Sequence, residues 1–139
     1  MIIRSATPVE VEAVAAAMNY DPSRKVNSVA LLERDTLLAV ALFDHWTYNS
    51  VNAHIWSSSP RGLLSPLFVT EIFRYAFEIS GRKIVLVITP ADAKESLKFS
   101  QALGFREVYR VKDGWKEGID LIVKEMRKEE CRWLLKKVA

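Results

Sequence analysis

The chain has 139 residues, half of them apolar and 27% charged, with a formal net charge of +3. That balance excludes disorder and low complexity, and five glycines with five prolines exclude a fibrous repeat. No apolar run approaches the ~18 residues that a membrane-spanning helix needs; the longest, Leu37 to Phe43, has the length of a strand. Met1-Ile2-Ile3-Arg4 does not begin a secretory signal pattern, and a lone Cys131 can form no intrachain disulfide, so a reducing, cytoplasmic setting is expected. The two histidines, His45 and His54, have no nearby cysteine or His-x-x-x-His partner, and no metal is expected. The charge excess lies in the tail at Arg127, Lys128, Arg132, Lys136 and Lys137 and reads as a solvated basic segment, so neither a nucleic acid nor a membrane is an expected partner.

Ile2 to Ser5 reads as a short opening strand. Thr7-Pro8-Val9-Glu10 then forms a helix start, with Thr7 as N-cap, Pro8 in the first helical position and Glu10 closing a capping box. Val11, Val14, Ala15 and Met18 recur at helical spacing and give this helix a core-facing stripe. Ser28 to Arg34 and Leu37 to Trp46 read as strands, and the short link through Asp35 predicts an antiparallel hairpin. The second of them is apolar at every position from Leu37 to Phe43, which predicts cover on both faces. A turn at Tyr48-Asn49-Ser50 leads into a further strand, Val51 to Ser57.

Ser57-Ser58-Ser59-Pro60-Arg61-Gly62 is the clearest loop. The next helix starts at Ser65 as N-cap with Pro66 behind it, buries Val69, Ile72, Phe73, Ala76 and Phe77, and stops at Gly81. Lys83 to Thr89 reads as a strand buried on both faces, so strand, helix and strand make a crossover with parallel pairing. Asp92 and Glu95 predict a second capping box for a helix through Leu103, with Gly104 at the left-handed C-terminal position and Phe105 folding back. Two strands close the chain, Phe105 to Lys112 and Ile119 to Met126, joined around Asp113-Gly114. The expected whole is a single α/β domain over residues 1–139: a mixed sheet with helices on both faces, in the order β-α-β-β-β-α-β-α-β-β, followed by a basic amphipathic tail from 127 to 139.

That order, the loop before the central helix and the helix exit in Ser96-Leu97-Lys98-Phe99-Ser100-Gln101-Ala102-Leu103-Gly104-Phe105 resemble the GNAT superfamily of N-acetyltransferases. The resemblance covers nearly the whole chain, and the compact form with Cys131-x-Trp133 also resembles small bacteriophage proteins of that kind. Two positions depart from the family's pattern. Where the family has Gln/Arg-x-x-Gly-x-Gly/Ala, this chain has Arg61-Gly62-Leu63-Leu64-Ser65-Pro66, and Ser100 stands four residues before Gly104 in place of the usual tyrosine.

The resemblance implies acetyl-CoA as co-substrate. Its pyrophosphate would sit at Arg61, Gly62, Leu63, Leu64 and Ser65, where free amide groups at a helix N-terminus attract phosphate. Its pantetheine arm would run along Ile55, Trp56 and Ser57 in a slot between that strand and the next, with Ser96 and Phe99 on the neighbouring helix. The implied reaction is attack of a primary amine on the acetyl thioester. His54 is the expected base by its ordinary pKa, with Asp44 and His45 as further candidates, and Ser100 and Tyr109 are the candidate donors to the leaving group. Asp44 and His45 are not expected to pair, because adjacent strand residues point to opposite faces. The acceptor, a small-molecule or peptide amine, would enter near 19–25 and 46–52. A homodimer is suggested by the apolar tail residues Trp133, Leu134 and Leu135. The alternative is a catalytically weak or inactive GNAT-like binding or structural module of phage origin, supported by the eroded loop and the missing tyrosine.

Overall fold

A computed structural model describes residues 1–20, 26–58 and 65–134. Strands β1 (Ile2–Arg4), β2 (Asn27–Glu33), β3 (Thr36–Asp44), β4 (Ser50–Ser57), β5 (Ile84–Pro90), β6 (Arg106–Lys116) and β7 (Ile119–Arg127) form one sheet in the order β1-β2-β3-β4-β5-β7-β6. The helices are α1 (Pro8–Ala17), α2 (Pro66–Phe73), which runs on into a wider π-helical turn over Arg74–Ile79, and α3 (Lys94–Leu103). The expected element order and mixed sheet are both present.

The local start and stop signals act as the sequence implies. The Thr7 side chain accepts from the Glu10 amide at 3.2 Å while Glu10 Oε1 accepts from the Thr7 amide at 2.8 Å, closing the box before α1. Glu10 also binds Arg4, at 2.7 and 3.0 Å, and these hydrogen bonds hold its carboxyl down at about 2. Ser65 caps α2 through the Phe68 amide at 3.4 Å. Gly104 ends α3 at φ 109°, a backbone only glycine adopts readily.

Three local expectations give way. The helix after Asp92 begins one residue later, with Ala93 at the cap and no side-chain bond there; the Ala93 carbonyl already accepts from the Leu97 amide, so the start is held by backbone. The last hairpin turns at Glu117-Gly118, not at Asp113-Gly114. Asp113, at φ 55°, is instead part of a distortion inside β6, where its carboxylate accepts from the Gly118 amide and Asp120 accepts from its own amide. Finally β5 is buried on one face only. Val85, Val87 and Thr89 are covered, while Ile88 on the other face is exposed.

Helices do cover both faces of the sheet, but unequally. On one face α2, its π-turn and α3 seal Val29, Leu31, Ala41, Phe43, Val51, Ala53, Val85 and Val87 around Phe68, Ile72, Phe73 and Phe77. On the other face α1 covers Ala30, Leu32, Val40 and Leu42 with Val14 and Ala15. β3 contributes to both clusters and is buried from Leu38 to Asp44, as its uninterrupted apolar run predicts. The tail folds onto its own domain: Trp133 Nε1 donates to the Leu103 carbonyl at 2.8 Å, and Leu134 packs on the larger cluster. Leu135 and the lysines beyond it lie outside the described residues.

Candidate functional site

The sheet opens where β4 meets β5. Their parallel ladder pairs Ser50 with Ile84, Val51 with Val85 and Asn52 with Leu86, and goes no further. β4 continues against β3 to Ser57, and β5 continues against β7 to Pro90. Two strands each anchored to an outer neighbour thus diverge past Asn52 and Leu86, and the backbone of each beyond that point has no partner strand in the other. An extended ligand arm can occupy such a gap by pairing with strand backbone.

His54 stands at the edge of this gap, two residues past the last pair. Val51 and Ala53 belong to the α2-side core, so alternation turns His54 and Trp56 to the α1 side. Trp56 packs there against the α1-side core and Ile55 against the opposite one. Both behave as rim residues, with their backbone along the gap. Ser57 ends the strand and Ser65 caps the next helix. Arg61, Gly62, Leu63 and Leu64 lie outside the described residues.

His54 does not stand alone. Asp44 is fully buried, at 0% exposure, and its Oδ1 accepts from His54 Nε2 at 2.9 Å and from His45 Nδ1 at 2.9 Å. Tyr20, at the end of the α1 segment, stacks on the His54 ring with centroids 3.8 Å apart. The Asp44–His45 contact overturns the expectation that the two point apart. His45 takes φ 52°, which breaks the strand's alternation and swings its ring back to its neighbour. The strain is local and is held by a hydrogen bond to a buried carboxylate. The three side chains bring ligand-type atoms within 4.8 Å of one another, so groups nine positions apart in sequence do meet, contrary to the spacing argument. A carboxylate only accepts, so with Asp44 ionised each ring donates through the nitrogen nearest Oδ1, and the set is a hydrogen-bonded triad.

Burial is the largest influence on His54 and lowers its pKa; the bond and charge of Asp44 oppose this, and His45 adds to the lowering. With Nε2–H given to Asp44, the neutral ring carries its basic lone pair on Nδ1. Asp44 therefore does for His54 what an orienting carboxylate does in an acid–base pair: it fixes the tautomer and steadies the cation that forms on proton uptake.

The other candidate residues lie apart from this pair. Ser100 is buried on α3, where its hydroxyl donates to the Leu97 carbonyl at 3.1 Å and accepts from Lys124 Nζ at 2.9 Å. Tyr109 is 66% exposed on β6, with β5 and β7 between its strand and β4. Register places it opposite Val123, which faces Ile88, so it shares the sheet face of His54 at the far edge. Ser96 is exposed on the first turns of α3, and Phe99 packs against the α2-side core. Tyr20 and Lys124 were not singled out from the sequence. Nothing local marks Tyr20, whereas a lysine within the apolar strand from Ile119 to Met126 is a signal that alternation could have raised.

A seven-stranded mixed sheet whose fourth and fifth strands run parallel and then part, with α1 on one face and α2 and α3 on the other, is the fold of the GNAT acetyltransferases. The spermidine/spermine N-acetyltransferase SpeG from Vibrio cholerae, in a mutant form, superposes with a TM-score of 0.73 at 9% identity over 93% of this chain and 95% of that one. The yncA protein from Salmonella typhimurium, solved with its cofactor acetyl-CoA, gives 0.71 at 13% identity over 94% and 95%. A GNAT-family protein from Desulfovibrio desulfuricans gives 0.68 at 16% identity over 91% and 98%. No family model matches the sequence, and no curated protein matches it. The likeness is one of fold, carried by the arrangement of elements with little sequence in common.

Proposed function

We propose that this chain is an acetyl-CoA-dependent N-acetyltransferase that moves an acetyl group from the thioester to a primary amine of a small molecule or peptide. The observation that carries this reading is the parting of β4 and β5 after Asn52 and Leu86, with the Asp44–His54 pair at its edge. The thioester arm lies in the gap along Ile55, Trp56 and Ser57. The pyrophosphate lies toward Arg61 to Ser65, with Ser96 and Phe99 flanking the arm on α3.

The amine nitrogen attacks the thioester carbonyl carbon. Its surplus proton passes to His54 Nδ1, the imidazolium is held by Asp44, and the carbon–sulfur bond then breaks to release the thiol. Holding both reactants in the gap supplies the larger part of the rate, about 7–11 kcal/mol in well-oriented cases, and the base adds roughly 10²–10⁴-fold. Tyr109 is a further candidate donor from the same sheet face. The base and its orienting carboxylate are both protein groups in this scheme, so a chelator is expected to leave turnover unchanged. No described helix is long and apolar enough to cross a membrane, and a cytoplasmic small enzyme, acting alone or as a homodimer, suits the reading.

The V. cholerae neighbour is a spermidine N-acetyltransferase, so polyamines belong in the first acceptor panel beside aminoglycosides, small amines and peptide N-termini. Calorimetry with acetyl-CoA is expected to show saturable binding, with a rise in stability of about 2.7 kcal/mol at a hundredfold excess over Kd. No heat and no thermal shift at millimolar ligand would remove the reading. Binding without turnover over the panel would favour the second reading, a GNAT-like binding module, for which Leu64 and Pro66 at the family's small-residue positions are the supporting observation.

A further inference from the structure

Asp44 carries a charge that its surroundings meet only in part. The side chain is fully buried at the end of β3, where its strand pairs with Asn52 of β4. Oδ1 accepts from both imidazoles, whereas Oδ2 has no hydrogen-bond partner among the described residues. The same two rings are its ion-pair partners, and no described lysine or arginine pairs with it. A buried carboxylate with one bare oxygen is costly unless positive charge compensates it. Neutral imidazoles supply hydrogen bonds to it but no net charge.

The same three side chains make a ligand set. One carboxylate and two imidazoles bring their ligand atoms within 4.8 Å of one another, with Oδ1 at 2.9 Å from each ring nitrogen. Zinc holds imidazole nitrogen at about 2.0–2.1 Å and carboxylate oxygen at about 2.0–2.2 Å. An ion seated among these atoms therefore spans neighbours 2.9 Å apart at close to a right angle, and positions remain for water. Two imidazoles with one carboxylate suit first-row transition ions; calcium and magnesium favour oxygen ligands. A way in is present as well, since the His45 side chain is 61% exposed while Asp44 lies beneath it.

We propose that Asp44, His45 and His54 bind a divalent transition ion of zinc's kind, and that the bound ion switches the catalytic base off. The binding stands on the geometry; the switching rests on the acetyltransferase reading and deepens it. The ion takes the lone pair of His54 Nε2, so the proton on that nitrogen leaves to solvent and a solvent proton settles on Nδ1. The ring stays neutral, but the lone pair that would take the amine's proton is gone. His45 changes in the same way, with Nδ1 on the ion and its proton moved to Nε2. Asp44 Oδ1 exchanges two hydrogen bonds for a bond to a dication, and the buried carboxylate gains the positive charge that the two rings do not supply. The metal-free chain is then the active form, and turnover falls as the free ion rises.

Zinc chloride titrated into the full chain by calorimetry, and cobalt(II) chloride followed by visible absorption, read the binding without any turnover. One ion per chain is expected, with the cobalt spectrum of nitrogen and oxygen ligands and no thiolate band. His45→Gln and His54→Gln each remove a ligand and are expected to weaken binding at least as much as loss of a supporting partner does, about 10–100-fold. Cys131→Ser is expected to leave it unchanged. Should one histidine variant fail to fold, the other carries the test. With acetyl-CoA and the best acceptor of the panel, saturating zinc is expected to lower wild-type turnover about 10²–10⁴-fold, the share of a positioned base, and a chelator to restore it. The zinc needed for half-inhibition is expected to rise in His45→Gln in step with the weaker binding. No saturable binding, binding that survives both histidine variants, or binding lost in Cys131→Ser overturns the site and leaves the acetyltransferase reading in place. Binding with turnover unimpaired overturns the switch. A wild-type chain that turns over no amine overturns the acetyltransferase reading and the switch with it, while the two titrations still decide the site.

Discussion

Replacing His54 with Gln is expected to lower kcat/KM for amine acetylation about 10²–10⁴-fold, the range a positioned base contributes, while acetyl-CoA binding by calorimetry stays within a few-fold of wild type. Gln keeps a side chain of similar reach that can still donate to Asp44, so the loss reports the missing base rather than a broken fold. The pH dependence follows from the direction of the His54 shift. Its pKa in the fold lies below the ordinary 6.5, chiefly through burial. The neutral, competent ring is thus present above that value, and activity is lost as pH falls through it. The acid limb of the kcat/KM profile is expected to turn below 6.5 in the wild type and to be absent in His54→Gln. The groups bearing on that ring are Asp44 and His45, with the Tyr20 ring stacked on it. Asp44→Asn keeps an oxygen for both ring N–H groups but removes the charge that steadies the imidazolium, so a smaller loss is expected than with His54→Gln. An acid limb that stays in place in His54→Gln would assign the base to another group.

Phe73→Ala is expected to destabilise the fold by about 3–5 kcal/mol in urea unfolding, a large share of the roughly 5–15 kcal/mol that holds a domain of this size together. Phe73 is fully buried near the end of α2, with ring centroids 6.0 Å from Phe77 and 5.9 Å from Phe105. It ties the helix that follows the gap to the exit of α3, so its loss opens a cavity where three elements meet. Leu67→Ala, on the exposed side of the same helix, is the control and is expected to change stability by no more than about 0.5 kcal/mol. A cost for Phe73→Ala no larger than the control would mean that α2 is not packed on the sheet as described.

Much of the architecture is legible because local rules and global packing agree here. Thr7 and Ser65 cap the helices they announce, Gly104 takes the left-handed backbone its position implies, and the apolar run of β3 is buried from Leu38 onward. The misreadings come where a non-local partner outweighs a local signal. Asp113-Gly114 has turn composition, yet bonds to Gly118 and Asp120 keep it within β6. Asp92 and Glu95 have box spacing, yet the backbone begins α3 without them. β5 reads as covered on both faces because sequence shows apolarity but not where helices stop. Here α1 lies over β2 and β3, so the other face of Ile88 stays open.

By itself, the order of residues determined the elements, their sequence along the chain and the residue types available for acyl transfer, since caps, periodicity and side-chain chemistry act over a few positions. Only the tertiary structure decided that β4 and β5 part after Asn52, that His45 bends back at φ 52° so that one buried carboxylate serves two histidines, and that Lys124 reaches across from β7 to Ser100 on α3. Each of these depends on strand register and on a hydrogen bond between groups distant in sequence or turned against their local geometry, and register is set by the packing of the whole sheet.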